Sequence, residues 1–225
     1  RRQRQMCIRD REDFIPQGAN RFLHTFAPII AVVPAILTFA VVPFGGQYEL
    51  WGENVNLVIS DLDVGLLFVF AIASLATYGY VIAGWASNSN WSLLGSMRTA
   101  SQMISYEVTM GLTIVGVLMV YGSLKLTEIG AAQEDFLRWG FFLQPVGFFM
   151  FLAASIAENK RIPFDAPEAE SELVAGYFTE YSGLKFGMFF MAEFIEMVTI
   201  GAIVTILFFG AWHILVSYTH LTLPT

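Results

Sequence analysis

Long apolar stretches separated by shorter polar segments dominate the pattern of this chain. A helix rises about 1.5 Å per residue, so roughly 20 apolar residues are needed to cross a hydrocarbon core about 30 Å thick. Five stretches reach or approach that length: Phe22–Pro43, Val64–Trp85, Ala100–Tyr121, Trp139–Ala157 and Phe186–Gly210. The pattern predicts an all-α fold, a polytopic transmembrane helix bundle with about five spans.

Composition agrees with a membrane protein and argues against several other classes. Of the 225 residues, 56% are hydrophobic and 14% are charged, whereas soluble domains average about 45–50% apolar and about 25% charged residues. The net charge is −7 and no basic stripe follows residue 21, which argues against a nucleic-acid partner. The single cysteine, Cys7, excludes a disulfide scaffold and a cysteine-ligated cluster. His24 and His213 are too isolated to predict a metal site.

The positive charges lie mainly on one side of the predicted bundle. The N-terminal segment and the connections 86–99 and 158–185 carry ten of the twelve lysines and arginines, and connections 44–63 and 122–138 carry two. The positive-inside rule therefore predicts that loops 86–99 and 158–185 are cytoplasmic. Residues 44–63 are then expected to face the periplasm.

The two ends of the chain differ from the rest. Residues 1–11 and 217–225 fit no helix pattern and resemble translated sequencing-adaptor strings. We expect both ends to be non-native, and such segments are excluded from reasoning about the fold. Residues 12–216 then form the transmembrane helical domain, with the long charged loop at 158–185.

Three carboxyl groups lie within the predicted spans, those of Glu107, Glu193 and Glu196. Placing an acidic side chain at the centre of a bilayer costs about 2.5–3.5 kcal/mol, so such residues usually face a bundle interior or water and mark proton or substrate pathways. Glu193 and Glu196 are three residues apart and share one helix face. The alternative is a structural hydrogen-bonding role or a position at a helix end. Glu107, about eight residues inside its span, is the hardest of the three to place at an interface.

The loop after the fourth predicted span is acidic, although the positive-inside rule predicts a basic one. Glu158, Lys160 and Arg161 close the span, and Pro163 and Pro167 prevent a continuous helix. An acidic cluster occupies the same loop: Asp165, Glu168, Glu170 and Glu172. Composition leaves two interpretations open, a solvated charged loop or a surface for partner docking or proton access.

The run from Ala157 to Gly183, AENKRIPFDAPEAESELVAGYFTEYSG, closely resembles the loop signature of the H-type membrane subunit of respiratory complex I. This complex is the proton-translocating NADH:quinone oxidoreductase. Residues 12–31, 65–112 and 207–212 resemble further segments of that family, so the resemblance covers nearly all of residues 12–215. The family has eight spans, and the five predicted here would be its second to sixth.

The resemblance implies a multi-pass subunit of the bacterial inner membrane. Such a subunit forms part of the quinone chamber and couples quinone reduction to proton translocation. Its expected partners are the peripheral-arm subunits at the quinone site, neighbouring small membrane subunits, the lipid bilayer and quinone as substrate, either ubiquinone or menaquinone. No flavin, iron–sulfur cluster or metal is expected on this chain, because electrons reach quinone from a cluster in a neighbouring subunit.

The resemblance also implies roles for individual residues. Position by position, Glu107, Glu158 and Glu193 are implied as intramembrane or boundary acids of a proton path. A second set is implied near the quinone and the coupling path: Arg98, Arg161, Asp165, Glu168, Glu170 and Glu172. Glu196 is less general in the family, and the resemblance gives it no role.

Two other classes compete with this interpretation. One is the homologous membrane subunit of an energy-converting hydrogenase or of a ferredoxin- or coenzyme-F420-linked complex. The uninterrupted run EAESELVAGYFTEYS favours a quinone-linked enzyme over that branch. The other class is a stand-alone ion transporter, which should show paired broken helices or an inverted repeat. The sequence contains no convincing internal repeat.

Overall fold

The computed structural model describes residues 15–16, 18–50, 53–166 and 176–213. Its elements, in chain order, are α1 Arg21–Thr38, β1 Gln47–Leu50, β2 Glu53–Asn56, α2 Gly65–Ala86, α3 Asn90–Tyr121, α4 Leu126–Ala131, α5 Gly140–Leu143, α6 Pro145–Glu158 and α7 Gly183–Phe208. Single 3₁₀ turns lie at Phe136–Arg138 and Gly176–Phe178. Helices α1, α2, α3 and α7 are long and apolar enough to cross a membrane, and α6 is a shorter apolar helix. The chain is therefore a polytopic, helical membrane protein, and the predicted fold class is confirmed.

Local sequence signals set the ends of the long helices. The Asn20 side chain caps α1 by accepting hydrogen bonds from the backbone N–H groups of Phe22 and Leu23, which have no partner inside the helix. Helix α3 ends at Tyr121, and the next residue, Gly122, has φ +70°, a left-handed conformation that glycine adopts without steric cost. The start of α1 and the end of α3 therefore each follow from a single residue.

Helix α3 is longer than the predicted span. It begins at Asn90, so only residues 87–89 separate it from α2, and the prediction of a loop over 86–99 is wrong. The small polar residues of this segment are buried rather than solvated. Ser92 Oγ donates to the carbonyl oxygen of Tyr177 at 2.8 Å, and Thr99 Oγ1 donates to that of Gly95 at 2.9 Å. Because their hydroxyls are hydrogen-bonded inside the protein, the polar composition of residues 86–99 did not indicate a loop.

The fourth predicted span is divided in two. Helix α5 ends at Leu143, and Gln144 leaves the helical conformation with φ −137° and ψ 64° before α6 begins at Pro145. Proline has no N–H to donate and its ring clashes with the preceding turn, which explains the break. Helix α6 has 14 residues and is about 21 Å long, which is shorter than the hydrocarbon core. It packs along α3.

The first connection contains a β-hairpin that the sequence analysis did not predict. Strands β1 and β2 pair in antiparallel register, with Gln47 opposite Asn56. We call the end of the bundle that carries this connection the hairpin end. Lys125 lies at this end and bridges to Asp61 at 2.9 Å and to Asp63 at 3.8 Å. The hydrogen bond to Asp61 raises the pKa of Lys125, which keeps its charge at neutral pH.

Two apolar clusters fill the interior. The first lies towards the hairpin end and includes Leu66, Ile114, Phe148 and Leu207. The second joins α1 and α2 to α7 and to the 3₁₀ turn at Gly176–Phe178. It contains many alanines and aromatic side chains: Ala27, Ala31, Ala35, Ala76, Ala83, Tyr80, Tyr177, Tyr181 and Phe189. Small residues let helix backbones approach closely in a membrane. Both clusters contribute to the wall of the cavity described below, the first with Phe151 and the second with Met103.

One buried glutamine forms hydrogen bonds to several backbone groups near the hairpin end. Gln133 is fully buried, and its Nε2 donates to the carbonyl oxygens of Ile206 at 2.8 Å and Leu207 at 3.4 Å. Its Oε1 accepts from the backbone N–H groups of Gly140 at 3.2 Å and Gly210 at 3.1 Å. A single side chain thus satisfies backbone groups from the start of α5 and the end of α7.

Candidate functional site

Five helices enclose a cavity of about 50 Å³ in the middle of the bundle. Most of its wall is apolar, with Met103 and Phe151 among the lining residues. Three carboxyl side chains from three different helices also line it, those of Glu107 on α3, Glu158 on α6 and Glu196 on α7. A cavity with polar groups needs a volume of only about 10–15 Å³ to hold a water molecule. The cavity volume of about 50 Å³ therefore suffices for more than one water molecule.

The three acids differ in their hydrogen bonding. Glu107 accepts a hydrogen bond from Ser74 Oγ on α2. Glu158 is buried, and its Oε2 has no hydrogen-bond partner within the described part of the chain. The buried Oε1 of Glu196 has none there either, whereas its Oε2 lies 3.5 Å from the hydroxyl of Tyr80, which donates to it. Unsatisfied buried acceptors are unfavourable, so these oxygens are available to a water molecule or a proton.

A buried ion pair lies beside the cavity. Lys160 Nζ is 3.3 Å from Glu193 Oε1, and the exposed fractions of the two side chains are 0% and 3%. The hydroxyl of Tyr177 donates to the same carboxyl oxygen at 2.6 Å. The ammonium also lies over the ring of Tyr80, 3.5 Å from its centroid. Since the Tyr80 hydroxyl contacts Glu196, one tyrosine connects the ion pair with the cavity acids.

The backbone after α6 brings Lys160 into this position. Helix α6 ends at Glu158, and Lys160 adopts φ 53°, in the left-handed region that a lysine rarely enters. The preceding Asn159 donates from Nδ2 to the carbonyl oxygen of Ser155 at 2.9 Å, which closes the last turn. The side chain of Lys160 is consequently inside the bundle, although a lysine at the end of a span usually extends into water.

The start of the charged loop rests on α3. Gln102 Nε2 donates to the carbonyl oxygens of Ala157 and Phe164, both at 2.7 Å. The Arg161 guanidinium lies 5.3 Å from the ring centroid of Phe194 on α7. Arg161 Nε and Nη2 are buried and have no hydrogen-bond partner within the residues that the structure describes. The loop is therefore packed onto the bundle where it leaves α6.

The structure brings together some of the predicted site residues and separates others. Glu107 and Glu158 share the cavity, and Glu193 lies next to it in the ion pair. Arg98 is on α3 rather than in a loop, nine residues and about 13 Å before Glu107. Asp165 is half-buried in the loop. Three of the predicted loop acids lie outside the described residues: Glu168, Glu170 and Glu172.

Sequence reasoning missed four polar residues that organise the site: Ser74, Tyr80, Gln102 and Lys160. Each acts through a partner far away in the chain, such as Tyr80 with Glu196 or Gln102 with Phe164. Glu196 had no implied role, although its position three residues after Glu193 was a signal that both face the interior.

The helices and the buried acids define a part of a polytopic membrane protein with ionisable groups in its interior. The sequence model of a family described as NADH dehydrogenase matches residues 7–223. The chain belongs to this family, which confirms the resemblance.

Relatives agree with this family. The chain is 53% identical over 203 residues to an H-type subunit of the NADH-quinone oxidoreductase of Geobacter metallireducens. It is 52% identical over 202 residues to an H-type subunit of the same enzyme from Geobacter sulfurreducens, and 51% identical over 204 residues to one from Syntrophobacter fumaroxidans. Each match covers 90% of this chain and 61% of the relative. The chain thus spans about three-fifths of the length of these curated relatives.

Proposed function

We propose that this chain is part of the membrane subunit of an NADH:quinone oxidoreductase, where it forms part of the quinone chamber and couples quinone reduction to proton translocation. The observation that carries the proposal is the meeting of Glu107, Glu158 and Glu196 at one cavity inside an apolar bundle. Buried carboxyls from three helices are costly in a membrane and typically serve proton relays. The names of the relatives support a quinone-linked enzyme over the hydrogenase branch.

The chemistry of quinone reduction explains why acids are needed. A quinone takes up two electrons and two protons to become a quinol, and the electrons come from a redox centre outside this chain. Carboxyl groups can supply protons as general acids and respond to the negative charge formed on the way. We assign the proton path to Glu107, Glu158 and Glu193. The proposed coupling groups near the quinone are Arg98, Arg161, Asp165, Glu168, Glu170 and Glu172.

The proposed partners follow from the same function. The loop 158–185 would face the peripheral-arm subunits that form the quinone site, and small membrane subunits would pack against the spans. The proposed location is the bacterial inner membrane. Exposed apolar side chains on the outside of the described helices, such as Leu112 and Met119 on α3, are consistent with contact to lipid or to such subunits.

Cysteine labelling of intact cells tests the orientation. In a Cys7→Ala background of the full-length subunit, Asn90→Cys and Ala166→Cys should react with an impermeant reagent only after permeabilisation. Asp63→Cys at the hairpin end should react without it, because the positive-inside rule places this end in the periplasm. All three positions are exposed. Labelling of Asn90→Cys or Ala166→Cys from outside intact cells would reverse the proposed orientation.

Glu107→Gln tests the proposed function itself. The amide keeps the size of the carboxyl and can still accept from Ser74, but it cannot carry a proton. In the full-length subunit within the assembled complex, we expect quinone reduction and proton pumping to fall about 100-fold, the usual scale for losing a positioned acid. Electron transfer to a hydrophilic acceptor that bypasses quinone should be unchanged.

Glu134→Gln is the matched control for Glu107→Gln. Glu134 is exposed at the hairpin end, so the same substitution there should leave every activity intact. Wild-type quinone reduction and pumping in an assembled Glu107→Gln complex would show that Glu107 is a structural residue, and the proposed function would lose its main support.

A further inference from the structure

We propose that Lys160 is a positioning residue of the proton path, whose buried ammonium links the charge of Glu193 to that of the cavity acids. The inference rests on the proposed function and extends it to a residue that neither the family resemblance nor the sequence pattern singled out. Lysine at this point has an ordinary explanation in the sequence, namely the closing of a span, and that explanation does not account for the burial of its side chain.

The first support is the burial of the ammonium. The Lys160 side chain is 0% exposed, so the group does not extend into water as lysines at membrane boundaries usually do. Its neighbours are the Glu193 carboxyl at 3.3 Å and the face of Tyr80 at 3.5 Å from the ring centroid. A carboxylate and an aromatic face both favour the charged ammonium. Lys160 is thus a fixed positive charge inside the bundle.

The second support is that Glu193 has a hydrogen-bond donor besides Lys160. The Tyr177 hydroxyl donates to Glu193 Oε1 at 2.6 Å, so the ammonium is not the only group that holds the carboxyl. Nor does the backbone favour lysine, because residue 160 has φ 53°, where glycine or asparagine is more stable. What Lys160 adds to the site is its charge.

The third support is that Lys160 contacts both Glu193 and a partner of a cavity acid. Its Nζ is 3.3 Å from Glu193 Oε1 and lies over the ring of Tyr80, whose hydroxyl donates to Glu196. Glu158 is only two residues away in the chain and lines the same cavity as Glu196. Charges inside a bilayer protein are little screened by salt or water. A charge change at the cavity acids therefore alters the stability of the ion pair with Glu193.

This arrangement gives Lys160 a defined part in coupling. When a cavity acid loses its proton, its negative charge competes with Glu193 for the ammonium. When the proton returns, the ammonium is again held by Glu193 alone. The strength of the ion pair between Lys160 and Glu193 thus depends on the charge in the cavity, although Glu193 is not among the residues that line it.

Lys160→Met in the full-length subunit of the assembled complex tests the inference, because methionine replaces the long side chain without its charge. The readout is the number of protons pumped per quinone reduced. We expect this ratio to fall by about tenfold, since a buried charge that loses its partner is strongly destabilised, while the bypass electron transfer stays unchanged. Lys160→Arg, which keeps the charge, should restore at least about half of the ratio.

Lys125→Met is the matched control. It removes the same charge from another lysine–carboxylate pair, the one that Lys125 forms with Asp61 at the hairpin end, and should leave the ratio unchanged. Lys160→Met leaves the Glu193 charge buried without its partner, which could prevent assembly of the complex. The double variant Lys160→Met/Glu193→Gln removes both charges and tests the role of Lys160 in that case. The double variant should pump no fewer protons per quinone reduced than Glu193→Gln alone, because each substitution by itself already breaks the ion pair between residues 160 and 193.

Three outcomes would overturn the inference. One is a wild-type ratio in Lys160→Met, or in the double variant if the single one does not assemble. Another is a proportional fall of pumping and quinone reduction that Lys160→Arg does not reverse, which indicates a structural role. A third is a ratio in the double variant far below that of Glu193→Gln alone. If Glu107→Gln also keeps wild-type activities, the proposed function has failed; if only Lys160→Met does, this inference alone has failed.

Discussion

Glu158→Gln should abolish most quinone-linked activity of the full-length subunit in its complex. Glu158 is the last residue of α6, lines the cavity and directly precedes the loop that begins with Lys160 and Arg161. It is therefore the acid best placed to pass a proton between the loop and the cavity. We expect quinone reduction and pumping to fall by about 100-fold or more, as for other positioned acids. Both are measured in membrane vesicles together with the bypass reaction, which should be intact.

The Glu158 experiment has a matched control and a clear contrary result. Glu134→Gln makes the same change at an exposed acid of the hairpin end and should leave quinone reduction and proton pumping unchanged. If Glu158→Gln assembles and retains more than about half of its quinone reductase rate, the carboxyl contributes far less than the usual factor for an essential acid. The proposed path would then be reduced to Glu107 and Glu193.

Gln102→Leu should detach the start of the loop from α3. The leucine keeps the volume of the side chain but removes both hydrogen bonds of 2.7 Å, to the carbonyl oxygens of Ala157 and Phe164. The Phe164 carbonyl loses its donor, whereas the Ala157 carbonyl still accepts from the backbone N–H of Lys160 at 3.2 Å. Leaving one such acceptor unpaired costs about 1–3 kcal/mol. We expect quinone reduction to fall by roughly tenfold or more, and the complex to unfold at a lower temperature in a thermal melt.

Two further variants distinguish the effect of losing the hydrogen bonds of Gln102 from the effect of changing the size of a side chain. Gln102→Glu has nearly the same shape but places a carboxylate against two carbonyl oxygens, so it should be at least as harmful as Gln102→Leu. Gln144→Leu is the control, because Gln144 is half-buried and makes no side-chain hydrogen bond within the described residues. Equal activities of Gln102→Leu and wild type would show that the loop holds its position without α3.

Hydrophobicity was sufficient to predict most of the bundle. The spans at α1, α2 and α7 agree with the helices to within a few residues, because long uncharged stretches have few alternatives in a membrane. The polar first turns of α3 were misjudged, since Ser92 and Thr99 find acceptors inside the protein. The hairpin formed by β1 and β2 was not predicted, because so short a segment shows no clear alternation of apolar and polar residues.

The site was predictable only in part, for a different reason. Acids such as Glu107 stand out in an apolar sequence because their burial is costly. Lys160 and Gln102 do not stand out, because lysine and glutamine near a helix end are normally solvated. Their roles come from contacts with residues at least 33 positions away, such as Glu193 and Phe164. A single sequence without its fold contains no signal for such pairs.

The shortness of α6 also bears on how the subunit is built into the membrane. A helix of 14 residues is a weak signal for insertion by itself, because it is too short to cross the hydrocarbon core. Helix α3, against which α6 packs, precedes it in the chain and is therefore synthesised first. We expect the integration of α6 to depend on this partner surface. Substitutions on the α3 face that receives α6 would consequently act first on biosynthesis, by leaving a segment of the chain outside the membrane, before any step of catalysis is reached.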